Sequence, residues 1–310
     1  VSDKLMVSLD AQSIDGLLEN QPLARFTAAR LGGQADYLYI ARDPDYRDTL
    51  ALLRLAWDSG LDVTVIGGGA NILVSDAGIR GLTIINRATQ IENDVDGAGA
   101  RITVSSGTNL IRLSRYCQEN GLSGMEWAIA VPGSVGGAVV NNAGAHGSDI
   151  ARSLARAQVF EAERGECWHE IADLDYAYRH SRLKQRADRR YFVKQAQFVL
   201  PRDDRDLIQA RMDHNNNYRR RTQPPGASLG SIFKNPPGDH AGRLIEAAGL
   251  KGLRVGSAQV SPVHANFIVS RDEEASARDY MALIRMVHKR VYEVFDLRLE
   301  LEIQTLGDWT

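Results

Sequence analysis

VIGGGANILVSDAGIRGLTI, residues 65–84, is the stretch on which the fold turns. The residues leading into it, LDVTVI at 61–66, read as a strand that runs directly into the glycines. Successive N–H groups freed of side-chain bulk at residues 67–71 can form a concave anion site suited to a diphosphate. The loop is not a dinucleotide fingerprint, because Ile72 occupies the third glycine position, and it is not a P-loop, because no GK[ST] follows. Residues 72–85 then give two apolar runs punctuated by glycine, which read as further strand.

Working outward, the spacing of Tyr46, Leu50, Leu53 and Trp57 predicts a helix capped by Asp43, with Pro44 in its first turn and a stop at Gly60. RITVSSG from Arg101 alternates as a strand, and Thr108 is the expected cap of a helix through Leu110, Leu113, Tyr116 and Cys117 that ends at Gly121. Strands are expected at 155–162 and 191–200 around a Gly165 turn. A polar helix to about Arg221, a helix near 240–248 and a long amphipathic helix presenting Tyr280, Leu283, Ile284, Val287 and Val291 follow. LRLELEIQTLG reads as a closing strand.

The length of 310 residues suits two or three domains. Hydrophobic and charged contents of 44% and 25% are those of a globular protein. With 37 Lys+Arg against 39 Asp+Glu there is no overall field to favour nucleic acid or an anionic membrane, so an anion must be bound locally. Cys117 and Cys167 stand far apart and outside Cys-x-x-Cys or Cys/His ligand spacings, which argues against a disulfide framework and against a metal site. No apolar run reaches a membrane span, and residues 1–16 lack the cationic and apolar segments of a secretory signal, so the cytoplasm is the expected setting.

A second glycine-rich loop, Pro132-Gly133-Ser134-Val135-Gly136-Gly137, with Asn141 and Asn142 behind it, puts small residues where a flat ring could lie against backbone. Either loop alone also reads as a tight turn. Together they stand among eight ordered blocks: FTAARLGGQADY (26–37), the stretch at 65–84, SGTNLIRL (106–113), GLSGMEWAIAVPGSVGGAVVNNAGAHG (121–147), YAYRHS (176–181), GASLGSIFKNP (226–236), VSPVHANFIV (260–269) and LELEIQTLG (299–307). In this order the chain resembles the UDP-N-acetylenolpyruvoylglucosamine reductase family of flavoproteins.

The resemblance implies an α+β chain with a FAD-binding two-subdomain fold of the vanillyl-alcohol-oxidase (PCMH) type and a C-terminal α+β substrate domain. The expected spans are 1–85 for FAD-binding subdomain 1 (α/β), 86–203 for subdomain 2 (mainly antiparallel β), 204–304 for the substrate-binding domain and 305–310 for a tail returning to subdomain 1. Non-covalent FAD would lie on Ile66, Gly67, Gly68, Gly69, Ala70, Asn71, Ile72 and Leu73 and on Val131, Pro132, Gly133, Ser134, Gly136, Gly137, Asn142, Ala143 and Gly144. NADPH is the implied reductant and a UDP-sugar enolpyruvyl ether the implied substrate. No nucleic acid, membrane or obligate protein partner is expected. Tyr178, Lys234, Asn235, His264, Asn266 and Phe267 are the implied substrate contacts, with Arg219, Arg220 and Arg221 either contacting phosphate or forming a solvated helix end.

Arg179, Ser231 and Glu302 stand where the family's chemistry is expected. Their types suit it. Hydride added to the terminal carbon of an enolpyruvyl ether leaves an enolate-like species. Arg179 can offer fixed charge to its carboxylate, and a held Ser231 hydroxyl can protonate it. Glu302 helps only if protonated or paired. The same residues also read as a surface ion pair, a turn residue and a solvent-facing strand residue, with Glu300 expected on the same strand face as Glu302. Departures from the family pattern are Phe26 before Thr27, Ala70 in the first loop and Gln304 where Arg is common. No Tyr-bearing insertion is evident after Arg179, as in the short-loop subtype. A sugar-lactone or alcohol oxidase of the same fold, or a silent flavin or nucleotide-sugar binder, are the competing readings.

Overall fold

The computed structural model describes residues 15–96, 99–270 and 275–309. Most of the N-terminal stretch read for a secretory signal, residues 1–14, lies outside them. The chain forms two compact units: one from the stretch through Glu19 with Tyr37–Gly68 and Gly81–Asn217, the other from Asn20–Asp36, Gly69–Arg80 and Tyr218–Thr310. Among the described residues no helix is long and apolar enough to cross a membrane.

In the first unit Val63–Ile66 pairs in parallel with Ile79–Asn86, Val63 opposite Leu82 and Ile66 opposite Ile85. The helix Arg47–Asp58 covers an apolar cluster with Leu52, Leu53, Ala56, Leu82 and Ile84 at its centre. A five-stranded antiparallel sheet follows in the order Gly165–Glu170, Leu154–Glu161, Tyr191–Pro201, Gly99–Ser105, Ile91–Asp96. Its inner face and the helices Leu110–Glu119 and Val135–Asn141 enclose a second cluster built on Ile102, Val104, Leu113, Val139 and Phe198.

The second unit has its own core, in which Tyr280, Leu283, Ile284, Val287 and Val291 of the helix Ala277–Phe295 are all buried, as their spacing requires. Its short parallel sheet joins Ile72–Val74 to Gln304–Leu306, with Ile72 opposite Gln304 and Val74 opposite Leu306.

Three local expectations are corrected. Asp43 does not cap a helix; its carboxylate accepts from the Asp45 N–H at 3.0 Å in a turn, and the helix starts at Arg47. The delay comes from Tyr46, which takes φ +58° so that its ring is fully buried and its hydroxyl reaches Asn86 Oδ1 (3.2 Å) and Ser106 Oγ (3.1 Å). Asn109, not Thr108, caps the next helix, accepting from the N–H groups of Ile111 and Arg112 at 2.9 and 3.3 Å. The closing strand is confined to Gln304–Leu306. Residues before it make one antiparallel bridge, Phe233 to Leu301, so the regular strand does not extend back over Glu300 and Glu302.

Candidate active site

The first unit interlocks the two glycine loops. A Cβ on Gly68 would stand 2.6 Å from Gly133 Cα, so that glycine is required by backbone approach, and one on Gly67 would stand 2.0 Å from Oγ of the Ser134 side chain. Gly133 itself has φ +134° and nothing within 4 Å of its ideal Cβ nearer than Leu110 Cδ1 at 4.0 Å. Ser134 caps the following helix through Gly137 N–H at 3.3 Å, whereas Gly136 N–H is bonded to Ser106 O at 2.8 Å. Tyr46, Asn86 and Ser106 therefore form a buried polar support behind the second loop, completed by a 2.8 Å bond from Asn86 Nδ2 to Ser106 Oγ. Sequence reasoning missed this support; the only signal was a tyrosine on an otherwise apolar helix stripe.

The turn carrying Tyr178 and Arg179 is closed by reciprocal backbone bonds between Ala177 and His180. Arg179 takes φ +54°, an uncommon conformation for a residue with a side chain. The turn is fastened to the second glycine block at several points. Tyr176 Oη donates to Val139 O at 2.8 Å, Asn142 Nδ2 to Ala177 O at 2.9 Å and Arg179 Nη2 to Gly144 O at 2.8 Å. Ser181 Oγ adds a bond to Val140 O. Asn142 and His146 share the left-handed backbone, at φ +44° and +54°. Such conformations persist only where surroundings over-determine them, and they concentrate at functional sites. Arg179 guanidinium lies 5.3 Å from the centroid of the exposed Tyr178 ring.

In the second unit the Ser231 and Glu302 segments lie side by side. Glu302 N–H donates to Ile232 O at 2.8 Å and Lys234 N–H to Glu300 O at 2.8 Å, flanking the Phe233–Leu301 bridge. Lys234 Nζ pairs with Glu300 at 3.0 Å, and Glu300 is mostly solvent-exposed, whereas Glu302 is half-buried. This distinguishes the two acids that the sequence left side by side. Asn71 of the first loop joins the same construction: its Nδ2 donates to Glu302 O at 3.1 Å and its carbonyl accepts from Gln304 N–H at 2.9 Å.

Asn266 is buried and spends its carboxamide on this loop, accepting from Phe233 N–H at 3.0 Å and donating to Phe233 O at 2.8 Å. Asn266 thus fixes Ile232 and Phe233, the residues that follow Ser231, and Phe267 is buried, edge-on to His264 at 4.8 Å. Asn235 Oδ1 accepts from Ala241 N–H at 3.1 Å at the start of the helix Ala241–Ala247. Of the arginine run, Arg220 and Arg221 are exposed, while Arg219 is drawn partly inside, where burial lowers its guanidinium pKa and Gln223 accepts from its Nε at 3.0 Å.

His264 Nδ1 accepts from Asn266 N–H at 3.2 Å, and burial depresses the imidazole below its ordinary pKa. Above the unfolded value of about 6.5 both states hold a neutral ring and nothing is gained or lost. Below it the unfolded chain takes the proton first, so stability falls with pH until the folded value is reached. Thermal unfolding across this range is expected to fall less steeply in His264→Gln than in the parent; equal slopes would contradict the assignment.

Two features suit a flavin. Gly133 offers backbone with open space at its Cα, and Asn141 Oδ1, eight residues on in the same sequence block, is buried with no hydrogen-bond partner among the described residues. The chemistry of a small-residue cradle with an unused acceptor fits an imide-bearing ring better than a phosphate.

Comparison with known proteins agrees. Residues 40–169 match the family model described as FAD binding domain, which makes FAD the cofactor. Residues 222–306 match that described as UDP-N-acetylenolpyruvoylglucosamine reductase, C-terminal domain. The reductase of Bacillus licheniformis is 39% identical over 99% of each chain. A second, named UDP-N-acetylenolpyruvoylglucosamine reductase 2, from Symbiobacterium thermophilum, is 44% identical over 93% of this chain and 91% of its own. The crystal structure of the reductase from Thermus caldophilus superposes with a TM-score of 0.77 at 32% identity, covering 94% of this chain and 98% of that one. With similarity running the length of both partners, the chain belongs to the UDP-N-acetylenolpyruvoylglucosamine reductase family.

Proposed function

We propose that this chain reduces the enolpyruvyl ether of a UDP-N-acetylglucosamine derivative to the corresponding lactyl ether, a step in peptidoglycan precursor synthesis. FAD, when bound, supplies the hydride to the terminal carbon of the enol ether, and NADPH is the proposed source of that hydride. Residues 66–68 and 131–137 would hold the cofactor in the first unit, with 69–73 completing the first loop.

Ser231 donates its hydroxyl proton to the carbon adjacent to the one that takes hydride, where an enolate-like centre is basic enough to accept it. Arg179 offers a planar donor fork to the substrate carboxylate, and its left-handed, multiply fastened turn limits how far that fork can wander. Glu302, held through its own backbone to Ile232 and Asn71, assists as a hydrogen-bonding partner at the same centre. Lys234 is paired with Glu300, so we assign it a phosphate contact made by exchanging that exposed partner.

The observation that carries this reading is the pairing of the Ser231 and Glu302 segments, which unites two candidate catalytic residues some seventy positions apart in sequence with the cofactor-loop residue Asn71. A cytoplasmic setting goes with it, supported by two free cysteines, of which Cys117 is buried with its thiol pushed up to about 12. The test is an anaerobic titration of the yellow protein. NADPH should bleach the flavin and the enolpyruvyl UDP-sugar should restore its colour. Bleaching by a sugar alcohol or lactone, with oxygen as the effective oxidant, would instead establish an oxidase.

A further inference from the structure

The hairpin at the edge of the five-stranded sheet brings together three side chains that the proposed reaction does not use. Cys167 and His169 are two apart on the strand Gly165–Glu170 and so share a face. Their direct partners are Val159 and Ala157 on Leu154–Glu161, and Glu161 lies on the same face two positions beyond Val159. The result is a compact cluster. Cys167 Sγ is 3.3 Å from His169 Nε2, His169 Nε2 is 3.3 Å from Glu161 Oε1, and the ligand atoms of all three groups lie within 4.8 Å of one another. Around a tetrahedral zinc ion, bond lengths of about 2.0–2.3 Å put neighbouring ligand atoms roughly 3.3–3.6 Å apart.

We propose that Glu161, Cys167 and His169 form a site for one thiophilic divalent cation of the zinc class. One sulfur, one imidazole nitrogen and one carboxylate oxygen make a set that suits zinc or cobalt and disfavours magnesium and calcium. Glu161 and His169 are buried, while Cys167 is half-buried, which leaves an entry path and room for a water as fourth ligand. On binding, the thiol proton passes to solvent buffer and the thiolate and carboxylate charges balance the cation.

Two guanidinium groups compete for Glu161. Arg186 Nη1 lies 2.7 Å from Oε1, and Arg164 Nη1 lies 3.6 Å from Oε2. Arg164 is mostly exposed and its pairing is weak. Arg186 already holds Asp188 through two bonds, Nε to Oδ1 at 3.1 Å and Nη2 to Oδ2 at 2.8 Å, so it keeps a full anionic partner when Glu161 turns to a cation. It would then orient the carboxylate from behind, as an outer hydrogen-bonding group does in metal sites. The cysteine spacings argue against a zinc site when the sequence is taken alone; the third ligand comes from the partner strand, through the hairpin register.

Flavin-loaded protein stripped with chelator and then freed of it should be titrated with Co2+. One equivalent is expected to saturate the visible d–d bands of tetrahedral cobalt to the red of the flavin, and Zn2+ should abolish them. The bands should vanish in Cys167→Ser and His169→Ala and persist in Cys117→Ser. Absence of the bands in the parent, or their survival in Cys167→Ser, overturns the site. Should the variants fail to fold, the parent still decides. Alkylation of Cys167 should slow by about tenfold with Zn2+ held at roughly ten times its Kd, and an unchanged rate overturns the proposal.

Discussion

Ser231→Ala is expected to leave reduction of the bound flavin by NADPH near normal while slowing flavin reoxidation by the enolpyruvyl substrate by about 10²–10⁴-fold, the range of a lost general acid. The substitution is clean structurally. The bonds that shape the loop come from Ile232, Phe233 and Lys234, with Asn266 gripping Phe233 on both sides, and none of these bonds uses the serine hydroxyl. The left-handed turn before it belongs to Gly230, which has nothing within 4 Å of its ideal Cβ. Alanine therefore removes a proton donor and little else. Stopped-flow measurement of the two half-reactions separates the outcomes: equal slowing of both would show that Ser231 shapes the site instead of acting in it.

Gly68→Ala is expected to give colourless protein with a lowered Tm. The added methyl would sit 2.6 Å from Gly133 Cα and 3.0 Å from Gly133 C, and backbone atoms cannot rotate away as a flexible side chain would. Overpacking of this kind costs about 1–3 kcal/mol where neighbours can shift. Here the neighbour that must shift is the second glycine loop, which we propose holds the flavin, so relief of the clash would open that cradle. Flavin content per folded chain, read from absorbance against protein concentration, checks it. Wild-type flavin content with an unchanged Tm would show that the loops do not depend on each other.

Much of this was legible in the amino-acid order. The two glycine loops show themselves as clusters of small residues, whereas the Tyr178-Arg179 and Ser231 segments stand out through the family resemblance. The long C-terminal helix follows from its apolar period, and all five residues assigned to its inner face are buried. What was not legible is decided by partners distant in the chain. Helix entry at Arg47 depends on where the Tyr46 hydroxyl finds Asn86 and Ser106, which no local capping rule contains. The distinction between Glu300 and Glu302 comes from Lys234 and Ile232, not from strand alternation. The Glu161, Cys167 and His169 cluster depends on hairpin register. The three-module division remains our proposal, supported by three separate apolar clusters within the two units.

The groups that hold Asn71, at Glu302 and Gln304, are translated well over two hundred residues after it. Val74 likewise waits for Leu306. A nascent chain can thus pair Val63–Ile66 with Ile79–Asn86 while the loop at residues 67–71 stays unanchored until translation has passed residue 306. On the proposed assignment of that loop to the flavin, capture of the yellow coenzyme reports that residues 302–306 have been made, and a product stopped before them would be marked out by its lack of colour.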